Sequence, residues 1–373
     1  MNNTILIIGR YHEPETLSGS QKFIKRLFEN IPSDKQEILF LDFFFGYKSS
    51  QIFKKIFFYK LLRKRGLVSF IKIGILPILI LVFYKRPKSI LVSGLEGYGL
   101  LIIILVKLFG SKVIYVAHGI YSYELINDKN NNDKTFYKLK YYFLERSIIL
   151  MSDLITLFSK KEYEMLKNKY SIQKKNIKIL VHGVDEKFFF EKKIFNHDKP
   201  LKIIYTGGYG RQLKGFDFLI NTLAKVDFPI ELFICGRMIE AELGEKIVNI
   251  KTNVKIQICG YLNSCDLSKL LRDMDVFILP SKFETFSIST VEAMASSLCC
   301  IITNTTGVAN YFSDGNDVIL INYDDIEGLY LSLKKLNYNR IYLEEISKTA
   351  FDSSKRFQWE SVTRDYLDLL NSK

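Results

Sequence analysis

A chain of 373 residues with 48% hydrophobic and 25% charged residues is too long for one small core, suits two globular domains, and excludes a disordered or fibrous protein. Five cysteines, odd in number and without a C-x-x-C pair, exclude a disulfide framework or a zinc knuckle; they read as buried free thiols in a reducing compartment. The net charge of +13 is uneven, because residues 1–190 carry +15 and the remainder −2.

In chain order, Thr4–Ile8 is a short apolar run closed by Gly9, with no basic stretch before it, and reads as a buried strand rather than a signal peptide. Strands are predicted over 37–42, 89–93, 112–117, 154–158 and 178–181, with helical patterns over 21–29, 97–109, 135–150 and 160–169. Such alternation predicts a parallel sheet covered by helices on both faces. After a polar stretch, Glu191–Pro200, the same grammar restarts. Strands are expected over 201–206, 230–235, 254–259, 276–279, 299–303 and 318–321, and helices over 216–224, 267–273 and 290–296. The expected division is 1–190, 191–350 and a final helix within 351–373, where Phe357, Trp359, Val362, Tyr366 and Leu370 recur at helical spacing. Two doubly wound domains place a ligand cleft at the carboxyl ends of their sheets.

Between Asp42 and Glu96 there is no acidic residue but eleven lysines and arginines. Apolar residues interleave with them at helix-like spacing over 52–62. The combination points to an interfacial helix that docks an anionic membrane surface through Lys54, Lys55, Lys60, Arg63, Lys64 and Arg65, rather than to a nucleic-acid groove. The apolar runs at 66–84 and 100–108 suit buried or interfacial helices better than a membrane span; Pro77 and Lys72 interrupt the first and the second is too short.

Three features in the second half carry chemistry. Strand 201–206 runs into Gly207-Gly208-Tyr209-Gly210-Arg211-Gln212-Leu213-Lys214-Gly215 before a helix. Glycines let backbone N–H groups approach an oxyanion, and Arg211 and Lys214 can neutralise a diphosphate. Strand 276–279 leads to Pro280-Ser-Lys-Phe-Glu284-Thr-Phe-Ser-Ile288, with Glu292 on the following helix. Glu284 suits sugar hydroxyls, the backbone of Thr285, Phe286, Ser287 and Ile288 suits phosphate or sugar oxygens, and Glu292 suits a ribose. Finally, Cys259-Gly260-Tyr261-Leu262 closes a strand beside a possible base pocket. Asp273-Met274-Asp275 looks like a metal-binding D-x-D, but it ends a helix just before a strand, so packing of Met274 is expected there. The four histidines, His12, His118, His182 and His197, lack metal-ligand spacing. No metal site and no nucleic-acid partner is expected.

Together these motifs resemble the retaining glycosyltransferase family four, across nearly the whole chain and most strongly over 201–307. That stretch holds strand–Gly–Lys-Gly, LFICGR, ICGYL, DVFILPSKFETFSISTVEAMA and TTG in the family's order. In the first half, Ser18-Gly19-Ser20 matches its glycine loop near the donor phosphates, Ala117-His118-Gly119 its strand-end histidine, and His182-Gly183-Val184-Asp185 its NGVD element. The resemblance implies the α/β GT-B fold, with two Rossmann-like domains facing a cleft and a last helix crossing back to the first. It implies a metal-independent transferase that needs no cofactor and uses a UDP- or GDP-sugar donor. In that frame Lys214 holds the diphosphate, Glu284 the sugar and Glu292 the ribose, with His118 beside the donor sugar. A lipid-linked glycan acceptor in surface polysaccharide or lipopolysaccharide synthesis is implied, with the protein cytoplasmic and peripheral on the inner membrane face. Other readings are a sugar-nucleotide epimerase on the same fold and a silent glycan-binding partner of another transferase. The sequence departs from the family at Tyr209, where an arginine is usual, at His182 for asparagine, at Arg237 for a glycine, and at Ser297 and Cys299 for glycine and proline.

Overall fold

The computed structural model describes residues 4–9, 19–31, 37–42, 57–63, 66–72, 83–84, 86–93, 97–118, 135–170, 176–191, 199–207, 212–236, 247, 250 and 252–372. The chain divides into two compact units, one of Met1–Gly183 with Trp359–Lys373, the other of Val184–Gln358.

The first unit contains β1 (Thr4–Gly9), β2 (Glu37–Asp42), β3 (Phe57–Arg63), β4 (Gly66–Lys72), β5 (Ser89–Ser93), β6 (Lys112–Val116), β7 (Leu154–Leu157) and β8 (Asn176–Ile179). They form one sheet in the order β3-β4-β2-β1-β5-β6-β7-β8, parallel throughout except for the antiparallel pair β3–β4. Helix α1 (Gly19–Asn30) joins β1 to β2, stepping one way along the sheet. Helices α2 (Gly97–Leu108), α3 (Thr135–Met151) and α4 (Lys160–Tyr170) step the other way through β5, β6, β7 and β8. Right-handed crossovers therefore put α1 on one face and α2, α3 and α4 on the other. Strands β5 and β6 are buried along almost their whole length, which is why they read as unbroken apolar runs. Ile90, Val92, Val113 and Tyr115 pack with Ile102, Ile103 and Val106 of α2 and Ile148 and Ile149 of α3.

In the second unit, β9 (Leu201–Thr206), β10 (Ile230–Cys235), β11 (Val254–Gly260), β12 (Val276–Leu279), β13 (Cys299–Thr303) and β14 (Ile319–Ile321) form a sheet in the order β11-β10-β9-β12-β13-β14. Every adjacent pair is parallel. Helices α5 (Phe216–Leu223), α6 (Ser264–Arg272), α7 (Ile288–Ala295), α8 (Ile326–Tyr338) and α9 (Arg340–Ser354) accompany it. Asn263 caps α6 by accepting the N–H of Cys265 and Asp266, which starts the helix three residues before its first apolar position, Leu267. Residues 184–190 belong to this unit. Phe188 is buried, Phe190 N–H donates to the Ala295 carbonyl, and Ser296 Oγ and Ser297 Oγ donate to the carbonyls of Phe188 and Phe190.

The last helix, α10 (Trp359–Asn371), rejoins the first unit, packing on α1 and β5. Phe23 of α1 lies at the centre of a ring cluster, 5.6 Å from Trp359, 5.4 Å from Tyr366 and 4.9 Å from His182, centroid to centroid. Gly183 lies flat under the Trp359 indole, where a Cβ would sit 2.3 Å from the ring. The carboxyl end of α10 is held by Lys88 Nζ on the Asn371 carbonyl and Lys112 Nζ on those of Leu369 and Ser372, cations placed where a helix presents its unpaired acceptors.

The structure corrects the interfacial helix expected over 52–62. Residues 57–63 form strand β3, in a hairpin with β4 that extends the edge of the sheet beside β2. Phe57, Phe58, Tyr59, Val68, Phe70 and Ile71 are strand formers, and their apolar pattern fits an edge hairpin as readily as a helix face. Lys60 and Arg63 thus lie on a strand, paired with Ser69 and Gly66; Lys54, Lys55, Lys64 and Arg65 lie outside the described residues. Most of the 66–84 run falls outside them too, and its opening is strand β4. Among the described residues no helix is long and apolar enough to cross a membrane.

Candidate functional site

Open parallel sheets bind ligands at the carboxyl ends of their strands, where the strand order reverses direction. In the second unit that reversal lies between β9 and β12, and Lys214 and Glu284 sit on the loops leaving those two strands. The two side chains meet in an ion pair, Lys214 Nζ to Glu284 Oε2, about one-fifth exposed on each side.

Local backbone chemistry brings them together. Gly215, at φ +69°, caps α5 in the left-handed region and lies so close to the next loop that a Cβ would stand 1.8 Å from the Pro280 carbonyl oxygen. Lys282 N–H donates to the Leu213 carbonyl at 2.9 Å, and Tyr205 Oη donates to that of Lys214 at 3.4 Å. On its other side, Glu284 is held by a short parallel bridge to Thr306. Gly307 N–H donates to the Glu284 carbonyl and Val308 N–H to that of Phe286. Gly307 is obligatory for the same reason as Gly215, since its Cβ would stand 1.8 Å from the Thr285 carbonyl oxygen. Thr303 and Thr305 hydroxyls both donate to the Ser281 carbonyl at 2.6 Å and fix the start of this loop.

Ser287 turns the chain into α7 from the left-handed region (φ +83°, ψ +79°), and its Oγ accepts the Thr290 N–H. Thr285, Ile288 and Glu292 are part-exposed, whereas Phe286 and Ser287 are buried. Helix α7 ends in a Schellman turn: Leu298 N–H donates to the Ala293 carbonyl and Ser297 N–H to that of Met294, with Ser297 at φ +59°. This is the position where the resembling family carries glycine, and the Ser297 hydroxyl is spent on the Phe190 carbonyl instead. Tyr261, beyond β11, is 53% exposed and Leu262 half-buried, so both are accessible. Gly208, Tyr209 and Arg211 fall outside the described residues.

In the first unit the strand order reverses between β1 and β5. Gly19 opens α1 after β1, and His118 follows β6. His118 Nε2 shares a 2.8 Å hydrogen bond with Ser93 Oγ, the last residue of β5. Its ring packs against Phe23 and Phe158 at 5.1 and 5.2 Å. Burial, reinforced by the neighbouring charge of His182, holds the imidazole well below its ordinary 6.5, so it is neutral at physiological pH.

Ser93 carries no role in the sequence reading, Gly215 stands there only among the glycines of an oxyanion loop, and Gly307 only as the end of TTG. Ser93 is a polar residue closing an apolar strand beside the reversal, and that position was its only signal. In the D-x-D look-alike, Met274 is buried and Asp275 Oδ2 accepts the Lys202 N–H, tying α6 to β9. Of the five cysteines, Cys235, Cys299 and Cys300 are buried, whereas Cys265 is exposed at the start of α6. Among the described residues no three His, Cys, Asp or Glu side chains gather as a metal site would require.

Comparison with known proteins agrees with this fold. Residues 200–338 match the family Glycosyl transferases group 1. The chain is 26% identical to an uncharacterized 41.2 kDa protein in the cps region of Klebsiella pneumoniae, over 70% of this chain and 71% of that protein. It is also 26% identical to the N-acetylgalactosamine-N,N'-diacetylbacillosaminyl-diphospho-undecaprenol 4-alpha-N-acetylgalactosaminyltransferase of Campylobacter jejuni, over 78% and 75%. Mannosylfructose-phosphate synthase of Agrobacterium fabrum is 23% identical, with only 58% of its length matched. Among solved structures, sucrose-phosphate synthase from Thermosynechococcus elongatus superimposes with a TM-score of 0.73 at 13% identity, over 99% of this chain and 98% of that one. Anabaena HepE in complex with UDP follows at 0.71 and 15%, over the whole of both chains.

Proposed function

We propose, for a chain that is a glycosyltransferase of the GT-B fold with a group 1 glycosyl transferase domain over residues 200–338, a retaining, metal-independent reaction. In it a hexosyl unit passes from a UDP- or GDP-sugar to a lipid-linked glycan during surface polysaccharide synthesis. The observation that carries this reading is the Lys214–Glu284 pair at the strand-order reversal of the second sheet.

In the proposal the incoming diphosphate takes Lys214 away from Glu284. The ammonium then neutralises charge on the leaving nucleotide, and the released carboxylate accepts sugar hydroxyls. Glu292 accepts from the ribose, and backbone N–H groups at Thr285–Ile288, at the start of α7, face the phosphate or sugar oxygens. The acceptor hydroxyl attacks the anomeric carbon on the face that the phosphate leaves. The carbon–phosphate-oxygen bond breaks, the acceptor proton passes to that oxygen, and the nucleoside diphosphate departs. No protein nucleophile takes part, so the chain contributes positioning and electrostatics. His118, kept neutral, offers a hydrogen bond beside the sugar without placing a second positive charge there.

The acceptor class draws support from the Campylobacter relative, whose name specifies a diphospho-undecaprenol-linked substrate, and from the cps-region relative in Klebsiella. Such an acceptor places the protein at the inner face of the cell membrane. The UDP held by Anabaena HepE makes uridine the first nucleotide to try. The test is a thermal-shift screen against nucleotide sugars, followed by product analysis of the one that stabilises. The proposal expects an acceptor glycosylated with the donor's anomeric configuration and turnover unaffected by EDTA. Free sugar released without acceptor would assign an epimerase-type reaction instead, and an inverted anomer would refute retention.

A further inference from the structure

Helix α2 reads Gly97-Tyr-Gly-Leu-Leu-Ile-Ile-Ile-Leu-Val-Lys-Leu108, apolar on nearly every side. A helix of that composition belongs in a core, and its Ile102, Ile103 and Val106 are buried against the first sheet. Its outer side is not covered: Ile104 and Leu108, one turn apart, are 39% and 76% exposed. Helix α3, packed beside it on the same face of the sheet, leaves Phe143 and Leu150 55% and 54% exposed, with the exposed Arg146 between them on the same stripe. Phe83 and Tyr84, just before β5, are 61% and 81% exposed. The Phe83 ring stands edge-on to Phe109, directly after α2, at 5.5 Å, and the Arg86 guanidinium lies 6.0 Å from that same ring.

Six large apolar side chains standing in water on one unit exceed what scattered surface exposure explains. On the two helices the exposed charge has one sign. Glu145 of α3 is buried and accepts the Tyr170 hydroxyl, and Asp153 is occupied by Lys107 and the Val113 N–H. Arg86 and Arg146 therefore stand beside the apolar side chains with no exposed carboxylate on α2 or the described part of α3.

We propose that this face, built from α2, α3 and residues 83–86, docks the protein on an anionic phospholipid surface. Leu108, Phe143, Leu150 and Tyr84 enter the headgroup–acyl boundary while Arg86 and Arg146 reach the phosphates. Charge selects lipid over a second copy of the chain. Its exposed charges, Arg86 and Arg146, are both cations, so two copies would meet with like charge where lipid phosphates would neutralise it. Docking through this face replaces docking through a helix at 52–62. Its biological meaning, delivery to a lipid-linked acceptor, rests on the function proposed above; the binding itself does not.

The test is co-sedimentation of the full chain with vesicles of equal parts phosphatidylglycerol and phosphatidylcholine, and with phosphatidylcholine alone. The wild type is expected to sediment with the first and stay in solution with the second. Leu108→Glu with Phe143→Glu should weaken sedimentation at least roughly tenfold, from the apolar area lost to the boundary. Arg86→Glu with Arg146→Glu should remove the preference for anionic vesicles. These side chains are exposed, and circular dichroism checks that each variant folds; a tryptophan at position 84 (Tyr84→Trp), whose emission should shift to the blue on anionic vesicles, gives an independent local readout. Unchanged binding of the double variants, an unshifted tryptophan, or a failure of the wild type to bind vesicles overturns the proposal. So does a concentration-dependent dimer in sedimentation velocity that the Leu108/Phe143 variant abolishes while vesicle binding persists. Donor turnover on a soluble acceptor should be the same in all variants, so failure of docking and failure of the transferase reading give different results.

Discussion

Replacing Gly215 by alanine sets two costs at one backbone position. At φ +69° an alanine pays about 1–2 kcal/mol for the left-handed region. Its methyl would also lie 1.8 Å from the Pro280 carbonyl oxygen and 2.6 Å from the carbonyl carbon. The loops after β9 and β12 must then part by more than an ångström, which breaks the Lys282 N–H bond to Leu213, worth about 0.5–1.5 kcal/mol. Together the variant loses about 2–3 kcal/mol from the second unit. For a unit of this size each kcal/mol lowers the melting temperature by about 2–4 °C, so a fall of roughly 4–12 °C is expected in differential scanning calorimetry. The same parting draws Lys214 away from Glu284, so titration calorimetry should show nucleotide-sugar affinity reduced about tenfold or more. A melt within a degree of the wild type, with undiminished affinity, would refute the claim that this contact builds the site.

Gly307→Ala should act from the opposite side of Glu284, lowering affinity for the sugar nucleotide more than for the free nucleotide, as competition binding would show. Ser297→Gly should change stability by less than about 1 kcal/mol, because relief at φ +59° offsets loss of the hydroxyl bond to Phe190, whereas Ser297→Val should cost about 2 kcal/mol in urea titration. The desolvated His118 imidazole holds its proton less tightly than in the unfolded chain. Stability should therefore fall as pH drops below about 6.5, and the pH dependence of the melt should shrink in His118→Asn. Ser93→Ala should lower kcat more than it changes donor KM and Ser93→Thr should restore it, since the hydroxyl bonds to the imidazole.

Much of the second sheet was readable because parallel strands buried on both faces are written as unbroken apolar runs. Residues 201–206, 230–235, 276–279 and 299–303 are strands to the residue, the first three bounded by Gly, Pro or charge. Helices α8 and α9 were not assigned. Their buried Leu329, Leu333, Leu336, Leu343 and Ile346 are diluted by lysines, asparagines and tyrosines, and each starts at a polar cap, Asp325 and Asn339. The hairpin at 57–72 was misread for a physical reason, since pairs of adjacent aromatic and aliphatic residues satisfy both periods and only the neighbouring edge of β2 decides between them. At the candidate site, Lys214 and Glu284 were legible as residue types on glycine-bearing loops. Their contact was not, because it depends on two glycines whose missing side chains lie against carbonyls far away in sequence.

Sugar transfer by the wild type, Lys214→Met and Glu284→Gln, followed by mass spectrometry of the acceptor and release of nucleoside diphosphate, tests the role of the ion pair itself. The wild type should yield an acceptor heavier by one hexosyl residue. Turnover should be lower by about a hundredfold or more in each folded variant, as expected when a charge aimed at the transition state is removed. Undiminished transfer by both variants would rule out Lys214 and Glu284 as the donor-binding pair.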